Sequence, residues 1–244
     1  MSALYSKAEL ATVIAGMRRV YVYHINSERF DVSYDFLRQN NLVFFPVRKS
    51  GAYEGFSNRH MPVKRGQPYN LYGAAVKADD QEAGELFSEA SNGKLADHTT
   101  IGELLGYPDC CVDFFNDVWP SKSIDPMYEA AVETHGAVEN DGGSVEVSTH
   151  PYCNNMLRYF GIRTTPHLTC SMQCKKTIKW GEEWVEVMRQ IDDEATNWLL
   201  ELQSMPLTWN AYKSVAIIDT PLFRGVTNSD KTLEKKIVRN IGWK

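Results

Sequence analysis

Four of the five cysteines in the 244-residue chain fall into two close pairs. Cys110 and Cys111 are adjacent, and Cys170 and Cys174 follow about sixty residues later. A thiolate is the form of cysteine that binds a metal. Four thiolates meet the ligand count of a tetrahedral zinc ion and of an iron–sulfur cluster. The two pairs therefore predict one metal site with Cys110, Cys111, Cys170 and Cys174 as its ligands.

The residues around both pairs predict helix starts. Pro108 suits the first position of a helix, so Cys110 and Cys111 would lie in the first helical turn. Free backbone N–H groups and the helix dipole favour a thiolate there. The i, i+4 spacing of Cys170 and Cys174 would place both sulfurs on one face of a second helix. We expect two helix N-termini to converge, each of them presenting two sulfurs.

The adjacency of Cys110 and Cys111 favours an iron–sulfur cluster over zinc. Neighbouring residues on a helix point about 100° apart, and structural zinc prefers cysteines that are separated by a few residues. A cubane offers a different iron to each cysteine. The sequence therefore predicts a [4Fe–4S] cluster, with zinc as the alternative.

Two interpretations without a metal stay open. The four cysteines can be core residues, because free cysteine is among the most buried residue types. Alternatively, Cys110 or Cys111 can be a nucleophile whose pKa is lowered by the helix N-terminus. Cys153 has no partner at local spacing and is predicted to be a packed thiol.

Polar residues near the cysteines are the candidate catalytic groups. His167, three residues before Cys170, can be a metal ligand, a hydrogen-bond donor behind the ligands or a proton carrier. We predict His167 as the proton-transfer residue, with Asp109 and Asp113 as alternatives. Asn155 is a candidate for a hydrogen bond to a substrate, and a capping or packing role suits it equally well.

The stretch from Arg48 to Tyr69 is interrupted by Gly and Pro and predicts a loop. It is also basic, with a single acidic residue among its first eighteen positions. A solvated surface loop is one interpretation. The other is a loop that covers a pocket and binds an anionic ligand, with Arg48, Arg59 and Arg65 as substrate residues.

The periodicity of the chain predicts an α+β fold. Strands near both ends would build one mixed β-sheet, and a helical middle region would carry the cysteine site. We expect an N-terminal α/β part (1–95), a helical cysteine-site region (96–204) and C-terminal strands with a basic tail (205–244), packed as one compact unit. A helix is also predicted over 151–160, and another for the tail at 231–244.

Composition limits the classes of protein that the chain can represent. A net charge of −5 gives no electrostatic footprint for bulk nucleic-acid binding. No apolar run reaches the roughly 20 residues of a membrane-spanning helix, and no signal peptide is evident. We therefore expect a cytoplasmic protein, in which five cysteines do not form a disulfide framework.

A family resemblance is carried by Leu105-Gly106-Tyr107-Pro108-x-Cys110-Cys111-x-x-Phe114-Phe115, followed by Asn155 and Gly161 and then by His167-x-x-Cys170-Ser171-x-x-Cys174. This pattern, over roughly residues 100–180, resembles an uncharacterised prokaryotic family known as domain of unknown function 483. The resemblance implies that His167 and the four paired cysteines belong to one site. It implies no reaction.

These observations lead to two functional hypotheses. The first is an iron–sulfur enzyme that acts on a small molecule or nucleotide held by the basic stretch, beside the cluster. The second is a non-catalytic zinc-stabilised module that binds a protein or nucleic-acid partner. Four-cysteine ligation would leave no open iron, and would therefore argue against Lewis-acid chemistry.

Overall fold

The computed structural model describes residues 2–51, 62–92, 96–121, 126–140, 144–158, 161–210, 215–219, 224–228 and 235–239. The chain divides into two compact units. One unit, here called the cysteine unit, comprises Met1–Ala8 and Pro108–Lys244. The other, the 9–107 unit, comprises Glu9–Tyr107. The Gly-Tyr-Pro-x-Cys-Cys motif therefore crosses the boundary between the units.

The 9–107 unit is built on a three-stranded antiparallel sheet in the order β1-β3-β2. Its strands are β1 (Val20–Asn26), β2 (Leu42–Gly51) and β3 (Tyr69–Lys77). β-Branched and aromatic residues fill β1, which is the composition that suits a pleated strand with two covered faces. The central strand β3 pairs with both neighbours along most of its length.

Helices cover both faces of this sheet. On one face, α3 (Gln81–Asn92) and α4 (His98–Leu104) pack Phe87 and Leu104 into the same apolar cluster as Val76 of β3. On the other face, α2 (Phe30–Gln39) contributes Leu37 to a cluster with Ile25 of β1. The sheet is therefore the middle layer of its unit.

The cysteine unit has a helical core. Its helices are α5 (Asp109–Ser121), α6 (Pro126–Val132), α7 (Lys175–Ile191) and α8 (Asp193–Ser204), and α1 (Ser2–Ile14) begins in this unit. Trp184 and Met188 of α7 are fully buried, as is Leu199 of α8. Helix α7 is amphipathic, and the burial of its apolar stripe explains the association of α7 with α8.

The second sheet belongs to the cysteine unit and has the strand order β4-β5-β9-β6-β7-β8. The strands are β4 (Val138–Asn140), β5 (Ser144–Thr149), β6 (Leu207–Asn210), β7 (Val215–Asp219), β8 (Arg224–Asn228) and β9 (Lys235–Arg239). β5 and β9 pair in parallel, while the other neighbouring strands are antiparallel. The sheet is therefore mixed.

The structure confirms the α+β class and the helical middle region that carries the cysteines. Among the described residues, however, the strands form two sheets, whereas the sequence analysis expected one. The three N-terminal strands pair with one another, and helices cover both faces of their sheet.

Three local predictions are wrong. The tail contains β9 at Lys235–Arg239, because Ile237 and Val238 are β-branched and favour a strand. β2 extends to Gly51, so the predicted loop from Arg48 begins as a strand that pairs with β3. A helix was predicted over 151–160, but the structure has a short 3-10 turn at the start of this segment, Pro151–Cys153. Residues 159–160 lie outside the described residues.

Within the described part of the chain, the helices are too short or too polar to cross a lipid bilayer.

Candidate metal centre

Four cysteine sulfurs form one compact group in the cysteine unit. The Sγ atoms of Cys110, Cys111, Cys170 and Cys174 all lie within 4.8 Å of one another. Cys174 Sγ is 3.7 Å from Cys110 Sγ and 3.8 Å from Cys111 Sγ. The four cysteines are free, so these distances are contacts between separate sulfurs. A four-sulfur group of this size can hold a metal ion.

The first pair is positioned by the start of α5, as the sequence predicted. The carbonyl of Pro108 accepts hydrogen bonds from the N–H groups of Cys111 and Val112, which closes the first turn. The carboxylate of Asp109 accepts from the N–H of Cys110 at 2.7 Å. Cys110 and Cys111 therefore lie at a helix N-terminus, where the helix dipole stabilises negative charge.

The second pair lies in a loop, and its predicted helical placement is wrong. Helix α7 begins at Lys175, and Cys174 is its N-cap. The Cys174 sulfur accepts a hydrogen bond from the N–H of Thr177 at 3.5 Å. Cys170 lies before the helix, and its backbone N–H donates to Cys111 Sγ at 3.4 Å. The convergence of two helix N-termini is confirmed, although only Cys174 caps the second helix.

Hydrogen bonding within the group favours the thiolate form of Cys174. Hydrogen bonds from Cys111 and Cys170 lower the pKa of Cys174, which makes it the most acidic thiol of the group. Burial, together with the negative charge on Cys174, raises the pKa of Cys110. Four neighbouring thiols cannot all ionise without a compensating cation, because each thiolate repels the next.

Cys153 lies next to the four-sulfur group but does not belong to it. It is fully buried and belongs to the same apolar cluster. Its thiol donates to the carbonyl of Cys174 at 3.8 Å. Burial raises the pKa of Cys153 to about 12, so it remains a neutral thiol. This environment agrees with the predicted role as a packed thiol.

His167 is placed behind the sulfurs and outside the four-sulfur group. Its side chain is buried, and its Nε2 atom lies 2.9 Å from the hydroxyl of Thr177. That hydroxyl lies 3.3 Å from Cys111 Sγ. Burial lowers the pKa of His167 to about 4, so the ring is neutral at neutral pH. Of the three roles considered for His167, this position matches the hydrogen-bonding one.

Thr177 is the residue that the sequence analysis missed. It is fully buried, and both its N–H and its hydroxyl face the sulfurs. Its position three residues after the N-cap is the place where a helix N–H commonly meets a capping side chain. The spacing from Cys174 to Thr177 would have indicated this role if the start of α7 had been placed correctly.

The other predicted catalytic residues lie on the surface of α5. Asp109 is exposed and forms an ion pair with Lys176 of α7. This ion pair and the hydrogen bond from Cys110 lower the pKa of Asp109. Asp113 is exposed one turn further along α5. Both carboxylates lie outside the four-sulfur group.

Of the predicted substrate residues, Asn155 belongs to the cysteine unit and the described arginines belong to the 9–107 unit. Asn155 is buried, and its side-chain amide donates to the carbonyl of His167. Arg48 and Arg65 belong to the 9–107 unit and are exposed. Arg48 stacks on the ring of Tyr72 at 4.3 Å. Arg59 lies outside the described residues.

The basic residues of β2 do not form one patch. Arg48 and Lys49 are consecutive strand residues, so their side chains leave opposite faces of the sheet. Accordingly, Arg48 lies over Tyr72, whereas the Lys49 ammonium lies over Tyr69 at 3.5 Å. Substrate binding by Arg48, Arg59, Arg65 and Asn155 stays a prediction.

Comparison with known proteins identifies one family. The sequence model described as "Protein of unknown function (DUF483)" matches residues 85–206, which include all five cysteines and His167. Neither the curated proteins nor the solved structures include a match to this chain.

Proposed function

The chain belongs to the DUF483 family of proteins of unknown function, so its function has to be inferred from the geometry of the sulfur site. We propose that this site binds one tetrahedral zinc ion, which has a structural role. Cys110, Cys111, Cys170 and Cys174 are the proposed ligands. The observation that supports this proposal is the separation of the four sulfurs.

The sulfur distances match a single ion. At a zinc–sulfur bond length of about 2.3 Å, a regular tetrahedron places its sulfurs about 3.8 Å apart. The distances of 3.7 and 3.8 Å from Cys174 to Cys110 and Cys111 are close to this value. In a [4Fe–4S] cluster each thiolate binds a different corner iron, and the sulfurs lie about 6 Å apart. The group would have to expand to accept the cluster.

The proposed ion has a structural role because its coordination is complete. Four protein thiolates fill a tetrahedral shell and leave no position for water or substrate. The bound ion would join the start of α5 to the loop that precedes α7. It would also supply the positive charge that four neighbouring thiolates require. The chain is then a metal-stabilised module, consistent with the second functional hypothesis from the sequence.

Thiolate ligands must remain reduced to bind the ion. A reducing compartment meets this requirement and agrees with the cytoplasmic location expected from the sequence. In an oxidising compartment, cysteines this close together would form disulfides and release the ion.

Metal analysis of protein purified without oxygen tests the proposal. We expect a colourless protein with one zinc per chain. Replacement of zinc by cobalt should give the intense visible bands of a tetrahedral thiolate site. Brown protein that absorbs near about 400 nm and contains iron and sulfide in equal amounts would overturn the zinc proposal. Protein without any stoichiometric metal would overturn the metal site itself.

An iron–sulfur enzyme is the second candidate function. It is favoured by the adjacency of Cys110 and Cys111, which departs from the spacing of structural zinc sites. In that case His167, Asp109 or Asp113 would transfer protons, and the substrate would be a small molecule or nucleotide. Reconstitution with iron and sulfide under anaerobic conditions tests it, since a stable cluster with a reversible reduction would support this candidate.

A further inference from the structure

Thr177 connects a buried histidine to the sulfur group. Its hydroxyl oxygen lies 2.9 Å from His167 Nε2 and 3.3 Å from Cys111 Sγ. All three side chains are almost completely buried, with exposures of 0%, 4% and 2% for Thr177, His167 and Cys111. Buried polar groups of this kind are held by defined hydrogen bonds, because water is not available to replace a partner.

The direction of these hydrogen bonds follows from the number of protons available. A metal-bound thiolate has no proton and accepts only. A hydrogen bond between Thr177 and this thiolate is therefore donated by the Thr177 hydroxyl, which uses its single proton. The oxygen of Thr177 is then left to accept, and the group that faces it is His167 Nε2, which must carry the ring proton.

A second threonine does not alter this assignment. The Thr169 hydroxyl lies 3.4 Å from the Thr177 hydroxyl, but only 2.6 Å from the carbonyl of Ser171. A carbonyl oxygen can only accept, so the Thr169 proton goes to the nearer Ser171 oxygen. His167 therefore remains as the donor to Thr177.

We propose that His167 and Thr177 are positioning residues for the metal ligand Cys111, through hydrogen bonds that run from His167 Nε2–H to Thr177 and from the Thr177 hydroxyl to Cys111 Sγ. The proposal rests on the proposed metal site and specifies the groups that tune it. It assigns His167 a structural part in ligand binding, distinct from the catalytic role expected from the sequence.

The surroundings of His167 hold its ring in place. The side chain of Asn155 donates to the His167 carbonyl, which fixes the backbone. Trp180, one turn after Thr177 on α7, meets the imidazole edge-on with ring centroids 5.3 Å apart. Burial keeps the imidazole neutral, as its lowered pKa indicates. A neutral imidazole carries a single ring proton, so its position on Nε2 defines the tautomer.

The hydrogen bonds from His167 to Thr177 and from Thr177 to Cys111 Sγ, here called the relay, add to two backbone hydrogen bonds that the sulfurs accept. Cys111 Sγ also accepts from the N–H of Cys170, and Cys174 Sγ accepts from the N–H of Thr177. The donors of these two bonds are backbone N–H groups, so Thr177→Val and Thr177→Ser both keep them. The Thr177 hydroxyl is a side-chain donor to a sulfur, so it can be removed selectively. Loss of a partner behind a metal ligand typically weakens metal binding by roughly 10–100-fold.

The experiment compares Thr177→Val with Thr177→Ser in the full-length protein. Valine keeps the shape of threonine and removes the hydroxyl, whereas serine keeps the hydroxyl. Zinc affinity is measured by competition with a coloured chelator. We expect Thr177→Val to bind zinc roughly 10–100-fold more weakly, and Thr177→Ser to stay near the wild-type value.

Two spectroscopic readouts distinguish the relay from a loss of packing. In the cobalt form, the sulfur-to-cobalt charge-transfer band should move to longer wavelength in Thr177→Val and stay in place in Thr177→Ser, because a thiolate without its donor is easier to oxidise. Nitrogen NMR of the wild-type zinc protein should show the proton of His167 on Nε2. This last measurement needs no variant, so it holds even if Thr177→Val does not fold.

A wild-type protein with its proton on Nδ1 of His167 would overturn the relay, as would Thr177→Val with unchanged zinc affinity and an unchanged band. If the wild-type protein still binds one ion, either result contradicts only the relay, and the proposed metal site stands. Wild-type protein without stoichiometric metal instead overturns the proposed function, and the relay with it. The two failures are therefore distinguishable.

Discussion

Cys110 and Cys174 are 64 positions apart in the chain, yet their sulfur atoms lie 3.7 Å from each other. The first sulfur belongs to the initial turn of α5 and the second caps α7. Contact between these two residues brings two helix N-termini to one point. The same contact gives the four-sulfur group its small size, on which the proposal of a single ion depends.

Removal of the metal should destabilise the cysteine unit. A ligand that binds only the folded state, at about 100 times its dissociation constant, stabilises that state by about 2.7 kcal/mol. We expect a strong chelator under reducing conditions to lower the midpoint of thermal unfolding, and added zinc to restore it. Calorimetry in the presence and absence of chelator measures the effect. Identical unfolding curves would contradict a structural metal.

Substitution of single cysteines should distinguish the four proposed zinc ligands from Cys153, which lies next to them. Cys110→Ser, Cys111→Ser, Cys170→Ser and Cys174→Ser are each expected to reduce zinc binding sharply, because serine is a poor zinc ligand. Cys153→Ala is the matched control, since Cys153 is buried in the same cluster without belonging to the four-sulfur group. It should keep one zinc per chain. Loss of zinc in Cys153→Ala together with normal zinc in Cys110→Ser would refute the ligand assignment.

Gly181 should not tolerate a side chain. It lies within α7, and a Cβ atom at this position would be 2.7 Å from Cβ of Tyr152. Alanine is the better helix former by about 1 kcal/mol, but the overlap should outweigh that gain and destabilise Gly181→Ala by roughly 1–3 kcal/mol. Urea unfolding measures the difference. Lys179→Ala, at an exposed position of the same helix, should change stability by much less.

His150 should make the protein sensitive to mild acid. Its Nδ1 atom accepts a hydrogen bond from the N–H of Tyr152 and caps the 3-10 turn, which requires a neutral ring. Burial lowers the pKa of His150 to about 4, below its ordinary value of 6.5. The unfolded chain therefore binds the proton more readily, and the contribution of His150 to stability is lost as the pH falls from about 6.5 to about 4.

His150→Asn tests this dependence, because asparagine keeps a capping acceptor and does not titrate. The free energy of unfolding should fall less steeply in the variant than in the wild type across this pH range. Both proteins carry the same cysteines, so acid release of metal cancels in the comparison. Proton NMR of the wild-type imidazole gives the pKa directly, and a value at or above 6.5 would contradict the prediction.

The members of the sulfur group could be predicted from the amino-acid sequence. Two cysteine pairs, a proline before the first pair and the Gly-Tyr-Pro-x-Cys-Cys motif identified the four grouped cysteines, the start of α5 and the family. The sequence also predicted the α+β class. These features depend on residue type and short-range spacing, which are visible in a single chain.

The distances between the four sulfurs, and the contacts of His167 and Thr177 next to them, could not be predicted from the sequence. The loop position of Cys170, the parallel pairing of β5 with β9 and the contact of Thr177 with Cys111 all join residues distant in sequence. No local period encodes such contacts, because they result from the packing of whole helices and strands. Sulfur spacing is the quantity that distinguishes a site for a single ion from a site for a cluster, and it depends on how α5 packs against the segment before α7.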